Sequence, residues 1–155
     1  MRRDNIAIFL FAAALVAATN DANAPLQIQV LSEASVCDRR AQEGDVLTCH
    51  YTGVTLVGGV KFDSSLDRGE ALVFTLGQER VVKGWDQGLV GMCVGEQRRL
   101  TIPSGVGFGS KGLEPHVKGG DTVVYDIALS AIGRDVVADA DAGAAAEEGG
   151  DRREL

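Results

Sequence analysis

Six strand-like segments follow one another between residues 26 and 133, and this series constrains the fold more than any other feature. Each segment is rich in β-branched or aromatic residues and is bounded by turn-forming residues, a pattern typical of strands. The segments are LQIQVL (26–31), DVLTCHYTGVTLV (45–57), VKFDSS (60–65), ALVFTL (71–76), EQRRLTIP (96–103) and DTVVYDIALSAI (121–132). Gly58 and Gly59 separate the second segment from the third, and paired glycines permit the positive φ angles of a tight hairpin turn.

The stretch VVKGWDQGLVGMCVGE (81–96) is the only helical candidate, and we expect about two turns of helix within it. It holds Trp85, the only tryptophan of the chain, among four glycines. A glycine destabilises a helix interior by about 1 kcal/mol, so this is a poor helical context. A tryptophan here anchors a core or forms the floor of a ligand pocket, and the residues alone favour the core.

These elements predict an α+β fold, in which an antiparallel sheet of five to six strands wraps around one short helix. A sheet packed on so small a helix leaves room for a pocket on its concave side. The loop SGVGFGSKGLEPHVKGG (104–120) shows no periodicity. Loops of this length inside compact domains are usually functional.

The two ends of the chain differ in composition from its middle. Residues 1–24 resemble a secretory signal, with Arg2 and Arg3, an apolar run over 6–18 and the small residues ANA before a predicted cleavage after Ala24. The alternative, a membrane anchor, would require about 20 apolar residues, so we expect no membrane span after cleavage. Residues 134–155 lack aromatics and are rich in Ala, Gly, Asp and Glu, which predicts a disordered acidic tail. The ordered domain is then 25–133.

Charge and motif searches exclude several classes of function. The net charge is −7 and no basic run is present, which argues against a nucleic-acid partner. GVGFGSKG lacks the Gly-Lys-Ser/Thr ending of a phosphate-binding loop. His50 and His116 lack ligand spacing to the cysteines, so we expect no metal and no cofactor. We interpret His50 as a strand residue with a satisfied hydrogen bond rather than as a catalytic base.

Three cysteines in an exported protein suggest one disulfide and one spare thiol. Cys49 shares its strand alternation with Leu47 and Tyr51, which predicts a buried side chain. Cys37 precedes a loop and Cys93 follows the glycine-rich segment. We therefore predict a Cys37–Cys93 disulfide.

The motifs HYTG, KFDSS, DRG, VVKGWDQGLVGM, LTIP, GFG and GGDTVVYDI occur in order between residues 27 and 132. Together they resemble the FKBP-type peptidyl-prolyl isomerases, the tacrolimus-binding immunophilins. Cys37, Cys93 and the Glu-Leu ending resemble the endoplasmic-reticulum branch of that family. The resemblance implies an enzyme for Xaa-Pro bonds in folding secretory proteins, and a binding module or chaperone with little turnover is the alternative.

The resemblance also assigns roles to particular residues. Trp85 becomes the floor of a proline pocket, with its glycines expected to let the backbone approach a bound peptide. The residues implied in catalysis are Asp63, Tyr51, Val82 and Trp85. The residues implied in substrate binding are Phe62, Phe74, Val81, Phe108, Val117 and Tyr125. No histidine belongs to this set, which predicts a rate that is nearly flat between about pH 6 and 8.

Departures from the family pattern affect ligand affinity and localisation. Phe108 stands where tyrosine is usual, Leu72 where an aromatic residue is frequent, and Lys118 where proline is frequent, so we expect reduced affinity for macrolides. The ending RREL resembles the retrieval signal of the endoplasmic-reticulum lumen, except that Arg153 replaces an acidic residue. We expect a monomer in that lumen, with secretion as the alternative.

Overall fold

The computed structural model describes residues 19–134. Most of the predicted signal peptide, and the predicted tail beyond Arg134, lie outside the described residues. The end of the predicted signal peptide contacts the long loop and its flank, at Gly105 and Asp121. Asn20 donates to the carboxylate of Asp121, and the Ala22 carbonyl accepts from the Gly105 N–H.

All six predicted strands are present, and they form one antiparallel sheet. The strands are β1 (Gln27–Ser32), β2 (Asp45–Thr55), β3 (Lys61–Ser64), β4 (Leu72–Thr75), β5 (Gln97–Ile102) and β6 (Val123–Arg134). Their order is β1-β5-β6-β2-β3, and β4 also pairs with β2. Gly58 and Gly59 have φ angles of 91° and 63°, which confirms the glycine turn between β2 and β3.

Between residues 19 and 134 the structure has two short α-helices where the sequence predicted one. The predicted helix is α2 (Lys83–Gly88), and the additional helix is α1 (Ser65–Arg68). The prediction of Ser65 as a strand residue is therefore wrong. The Ser64 hydroxyl accepts from the Asp67 N–H and starts α1, and Gly69, with φ of 69°, ends it. A single 3₁₀ turn, Ser104–Val106, begins the long loop.

Strand β2 supplies one wall of the core because its side chains alternate between the two faces of the sheet. Leu47, Cys49 and Tyr51 point inward, as their shared alternation predicts, and Cys49 is fully buried. Burial raises the pKa of the Cys49 thiol to about 12. The prediction that Cys49 stays free is confirmed.

The glycines of α2 allow close packing against β5. A Cβ atom placed on Gly84 would lie 2.6 Å from Ile102 Cγ2, and one placed on Gly88 would lie 2.7 Å from Leu100 Cδ2. Any side chain at these positions would require α2 or the side chains of Ile102 and Leu100 to shift. These two glycines therefore allow the close contact between α2 and β5.

The predicted Cys37–Cys93 disulfide is present, with the two Cα atoms 5.5 Å apart. It joins the segment before β2 to the turn that follows α2. The backbones of Arg40 and Cys93 also form an isolated β-bridge at this point. The disulfide thus fixes the C-terminal end of the α2 region to the rest of the domain.

Candidate functional site

A cavity of about 380 Å³ opens beside α2 on the inner face of the sheet. Its lining is mainly aromatic and aliphatic, with one charged residue. The lining residues are Tyr51, Leu72, Arg80, Val81, Val82, Trp85, Phe108 and Tyr125. They come from β2, β4, β6, α2 and the loops before α2 and after β5. The cavity is therefore assembled from segments that lie far apart in the chain.

Trp85 forms the floor of the cavity and is also part of the core, since only 3% of its surface is exposed. Its ring makes edge contacts with Tyr51 and Tyr125, each at a centroid distance of 5.1 Å. Phe74 packs against it from β4, at 5.6 Å. Edge-to-face pairs of this kind hold aromatic rings in a fixed orientation. The floor is consequently a rigid apolar surface.

A polar group borders the cavity at the junction of β2, β3 and α1. The Tyr51 hydroxyl donates to Asp63 Oδ2 at 2.5 Å and accepts from an Arg68 guanidinium nitrogen at 3.0 Å. Arg68 also forms an ion pair with Asp63. Helix α1 carries Arg68 back toward β3, so the missed helix is what completes this group.

The two tyrosine hydroxyls of the cavity remain protonated in the neutral range. The pKa of Tyr51 is raised, chiefly by burial and then by its hydrogen bond to Asp63. The pKa of Tyr125 is raised as well, chiefly by burial. At neutral pH Tyr51 therefore keeps the hydrogen that it donates to Asp63, and Tyr125 keeps its hydroxyl hydrogen as well.

Asp86 holds the loop that leads into α2. Its carboxylate accepts from the N–H groups of Gly77 at 2.8 Å and Glu79 at 3.0 Å. Glu79 has φ of 55°, a left-handed conformation uncommon for a residue other than glycine. The carboxylate of Asp86 thus fixes the turn from which Arg80, Val81 and Val82 enter the cavity wall.

Val82 precedes the first residue of α2 as its N-cap. Its carbonyl accepts the hydrogen bond from Trp85 N–H at 2.9 Å, whereas its own N–H donates to no acceptor within residues 19–134. The cavity wall thus contains a backbone donor that is unpaired in this part of the chain.

A buried ion pair holds the other end of α2. Arg98 donates to the carbonyls of Gly88 and Val90 at 3.0 and 2.9 Å. Its partner Glu96 is buried, and accepts a second hydrogen bond from the N–H of Cys93 at 3.0 Å. Guanidinium donors at a helix C-terminus satisfy carbonyls that the helix itself leaves unpaired. Trp85 is accordingly carried on a helix that is tied at both ends.

The structure brings most of the sequence-predicted site residues together. Six of them line the cavity: Tyr51, Val81, Val82, Trp85, Phe108 and Tyr125. Phe62 packs edge-on against Phe108 and Tyr125, at 5.9 and 5.6 Å, and Phe74 lies behind Trp85. Asp63 reaches the site through Tyr51. Val117 is fully buried in the core and is not among the residues that line the cavity.

Sequence reasoning assigned no site role to two lining residues, Leu72 and Arg80. Leu72 departs from the usual residue of the family, and Arg80 directly precedes the VVKGW motif. His50 follows the opposite alternation to Tyr51 and shares a hydrogen bond with the Ser65 hydroxyl at 3.0 Å. The interpretation of His50 as a satisfied strand residue is confirmed.

Neither a metal-binding cluster nor a membrane-spanning helix is present within residues 19–134. Within that range no three His, Cys, Asp or Glu side chains are grouped so that they could hold a metal ion. Nor does any helix there have the length and apolar character needed to cross a membrane.

Comparisons with known proteins agree on one family. Residues 37–130 match the model of the FKBP-type peptidyl-prolyl cis-trans isomerases. The chain is 48% identical over 122 residues to peptidyl-prolyl cis-trans isomerase FKBP2 of Mus musculus, covering 78% of this chain and 86% of that protein. It is 49% identical over 109 residues to the FKBP2 of Homo sapiens, covering 70% and 76%. It is 51% identical over 109 residues to FK506-binding protein 2B of Rhizopus delemar, covering 68% of this chain but about half, 52%, of that protein.

Proposed function

Because this chain belongs to the FKBP-type peptidyl-prolyl cis-trans isomerases, we propose that its cavity binds the proline ring of an Xaa-Pro segment over Trp85. The observation that carries this proposal is a rigid apolar floor next to one polar group. A proline ring is compact and apolar, so the floor offers it burial. The amide before the proline would then lie at the edge of the cavity, near the Tyr51–Asp63–Arg68 group.

The proposed reaction needs no nucleophile, because no covalent bond to the enzyme has to form. Amide resonance opposes rotation with a barrier of about 18–20 kcal/mol, and uncatalysed Xaa-Pro exchange takes tens to hundreds of seconds. Resonance places negative charge on the amide oxygen, which water stabilises. Removing that water in an apolar cavity favours the twisted state, in which the charge separation is smaller.

We assign a role in this reaction to individual residues of the cavity. Trp85 supports the ring, with Val81, Phe108 and Tyr125 around it and Phe62 and Phe74 holding the aromatic walls. The Val82 N–H, which has no acceptor within residues 19–134, would donate to a substrate carbonyl. Asp63, oriented by Tyr51 and Arg68, would face the rotating amide. An acceleration of about ten-thousand-fold requires about 5.4 kcal/mol of differential stabilisation, which desolvation and one or two hydrogen bonds can supply.

The test is catalysed exchange between the cis and trans forms of a panel of Xaa-Pro peptides, followed by NMR. We expect the purified protein to accelerate exchange on a neutral peptide such as one containing Ala-Pro. The Trp85→Leu variant should bind the same peptide more weakly. Peptide binding without accelerated exchange would contradict the enzyme and support the alternative, a proline-binding module or chaperone. The absence of a hydroxyl on Phe108 is the one observation that favours this alternative.

Three of the relatives are named for FK506 binding, and we include macrolides of this class among the proposed ligands. Phe108 and Leu72 both line the cavity, and both depart from the usual residue of the family. Fewer polar and aromatic contacts should lower macrolide affinity. Proline-containing polypeptides remain the proposed natural partners, and a monomer is the proposed state.

We place the protein in the secretory pathway, with the endoplasmic-reticulum lumen as its main compartment. The Cys37–Cys93 disulfide supports this location, because disulfides persist in oxidising compartments. The signal peptide over 1–24 and the RREL ending support it from sequence alone, and both remain predictions. Deletion of Leu155 should increase the secreted fraction of the protein. Unchanged secretion would mean that the tail does not act in retention.

A further inference from the structure

Arg80 is the only charged residue among those that line the cavity between residues 19 and 134. The other charged groups nearby already have partners. Asp63 pairs with Arg68, and Asp86 accepts hydrogen bonds from the backbone of the loop before α2. Arg80 is exposed and is in no ion pair with any residue of the described chain. Its guanidinium is thus an available cation at the mouth of the cavity.

The backbone that carries Arg80 is held in place on both sides. Before it, the Glu79 N–H is bonded to Asp86, and Glu79 adopts its left-handed conformation. After it, the Val82 carbonyl accepts from the Trp85 N–H at 2.9 Å, and Val81 and Val82 both line the cavity. A peptide bound over Trp85 would consequently meet the Arg80 side chain at a fixed place along its path. Glu79 and Lys83, the exposed charged residues on either side, are not among the lining residues and oppose each other in sign.

We propose that Arg80 is a specificity-determining residue, which favours Xaa-Pro segments with Asp or Glu directly before or after the proline. This inference rests on the proposed function of the same cavity. The guanidinium presents several N–H donors in a plane that matches a carboxylate, so an acidic side chain gains both charge and hydrogen bonding. A lysine in the same place meets a like charge.

The expected preference is modest because Arg80 is exposed to solvent. Exposed ion pairs correspond to about a 1.5- to 5-fold change in an equilibrium or specificity ratio. The preference should also fall with added salt, since exposed charges are screened over about 10 Å at 0.1 M ionic strength and over about 3 Å at 1 M.

The experiment compares kcat/KM on matched peptides that carry Glu, Gln or Lys directly before or directly after the proline. It is run on the protein itself, on Arg80→Gln and on Arg80→Glu. The matched control is Arg99→Gln, which removes one positive charge from β5, where Arg99 pairs with Asp126 outside the cavity lining. For each variant, kcat/KM on the Glu peptide is divided by kcat/KM on the Lys peptide. A general change in activity therefore cancels from this Glu-to-Lys ratio.

We expect a Glu-to-Lys ratio above one for the protein and for Arg99→Gln, in at least one of the two positions. The ratio should approach one in Arg80→Gln and invert in Arg80→Glu. A ratio of one in the unchanged protein, or the same ratio in Arg80→Gln, would overturn the inference while leaving the isomerase intact. Failure to turn over even the Gln peptides would contradict the proposed function instead. The Glu-to-Lys ratio of peptide Kd values, measured by titration, would then decide the preference of Arg80.

Discussion

The floor and the rim of the cavity are built in different ways. The floor is Trp85, which is buried and packed edge-on against Tyr125 and against Phe74 behind it. The rim includes Arg80 and Phe108, which are partly or largely exposed and lie on loops. The floor belongs to the hydrophobic core, whereas the rim is supported by hydrogen bonds such as those of Asp86.

This difference indicates where stability and ligand preference can change separately. A floor residue contributes to folding and to binding with the same contacts, so a substitution there affects both. A rim residue contacts solvent when the cavity is empty, so its substitution should alter ligand preference with little effect on stability. The following predictions test this separation, from the largest expected effect to the smallest.

Trp85→Ala should lose stability and activity together, because it removes the shared surface of core and cavity. Truncation of a buried aromatic side chain costs about 3–5 kcal/mol of unfolding free energy. Denaturant unfolding and kcat/KM on an Ala-Pro peptide measure the two effects. Trp85→Leu, the matched variant, should recover much of the stability with weaker binding. Full activity in Trp85→Ala would show that the tryptophan is not the floor of the site.

Removing the disulfide should instead lower the stability while leaving most of the activity. The double variant Cys37→Ala/Cys93→Ala opens a loop of about 57 residues, which costs roughly 4 kcal/mol on the chain-entropy model. Neither cysteine lines the cavity, so kcat/KM below the unfolding temperature should be largely retained. Peptide masses obtained without reductant provide the control that the bridge is formed in the parent protein. Equal losses of stability and activity would contradict the proposed separation.

Asp86→Ala should disturb the rim through the loop that precedes α2. It leaves the N–H groups of Gly77 and Glu79 without their acceptor, at a cost of about 1–2 kcal/mol. We expect KM to rise more than kcat falls, because Val81 and Val82 lose a fixed position. Gln87→Ala, at the exposed neighbouring position of α2, is the control. The idea fails if both variants give the same KM as the parent.

Phe108→Tyr should tighten macrolide binding by about 0.5–1.5 kcal/mol, the net contribution of one neutral hydrogen bond. Turnover on short peptides and unfolding free energy should hardly change, as expected of a rim residue. Titration calorimetry with a macrolide of the FK506 class measures the gain. Unchanged affinity would mean that the loop differs in shape as well as in its hydroxyl.

The smallest expected effect is that of pH on kcat/KM between about pH 6 and 8. His50 bonds to Ser65 on the other face of β2, and neither His50 nor His116 is among the residues that line the cavity. The pKa values of Tyr51 and Tyr125 are raised from about 10 by burial, so both hydroxyls stay protonated throughout this range. A group whose folded pKa is raised contributes its stability below the unfolded pKa and loses it above. Ionisation of these tyrosines should therefore weaken the fold only above about pH 10.

A steep change of kcat/KM near pH 6.5 would disprove the assignment of a site without a histidine.

The sequence by itself determined the six strands, the glycine hairpin and the inward position of Cys49. These features depend on alternation and on backbone preferences that act over a few neighbouring residues. The ordered motifs also identified the family, and with it six of the residues that line the cavity. Helix α1 was missed although its cap is local, because the sequence pattern extends the strand over Ser65, whereas β3 ends at Ser64.

Only the tertiary structure decided what Gly84, Gly88, Arg80 and Val117 do. The two glycines face β5, Val117 enters the core and Arg80 reaches the cavity, and nothing in their immediate sequence distinguishes these outcomes. Only the tertiary structure likewise showed that the ion pair of Glu96 and Arg98 lies at the end of α2. In each case the decisive partner lies on another element, so its effect exists only after the sheet has closed around α2. Contacts that depend on chain closure cannot be inferred from patterns that extend over a few residues.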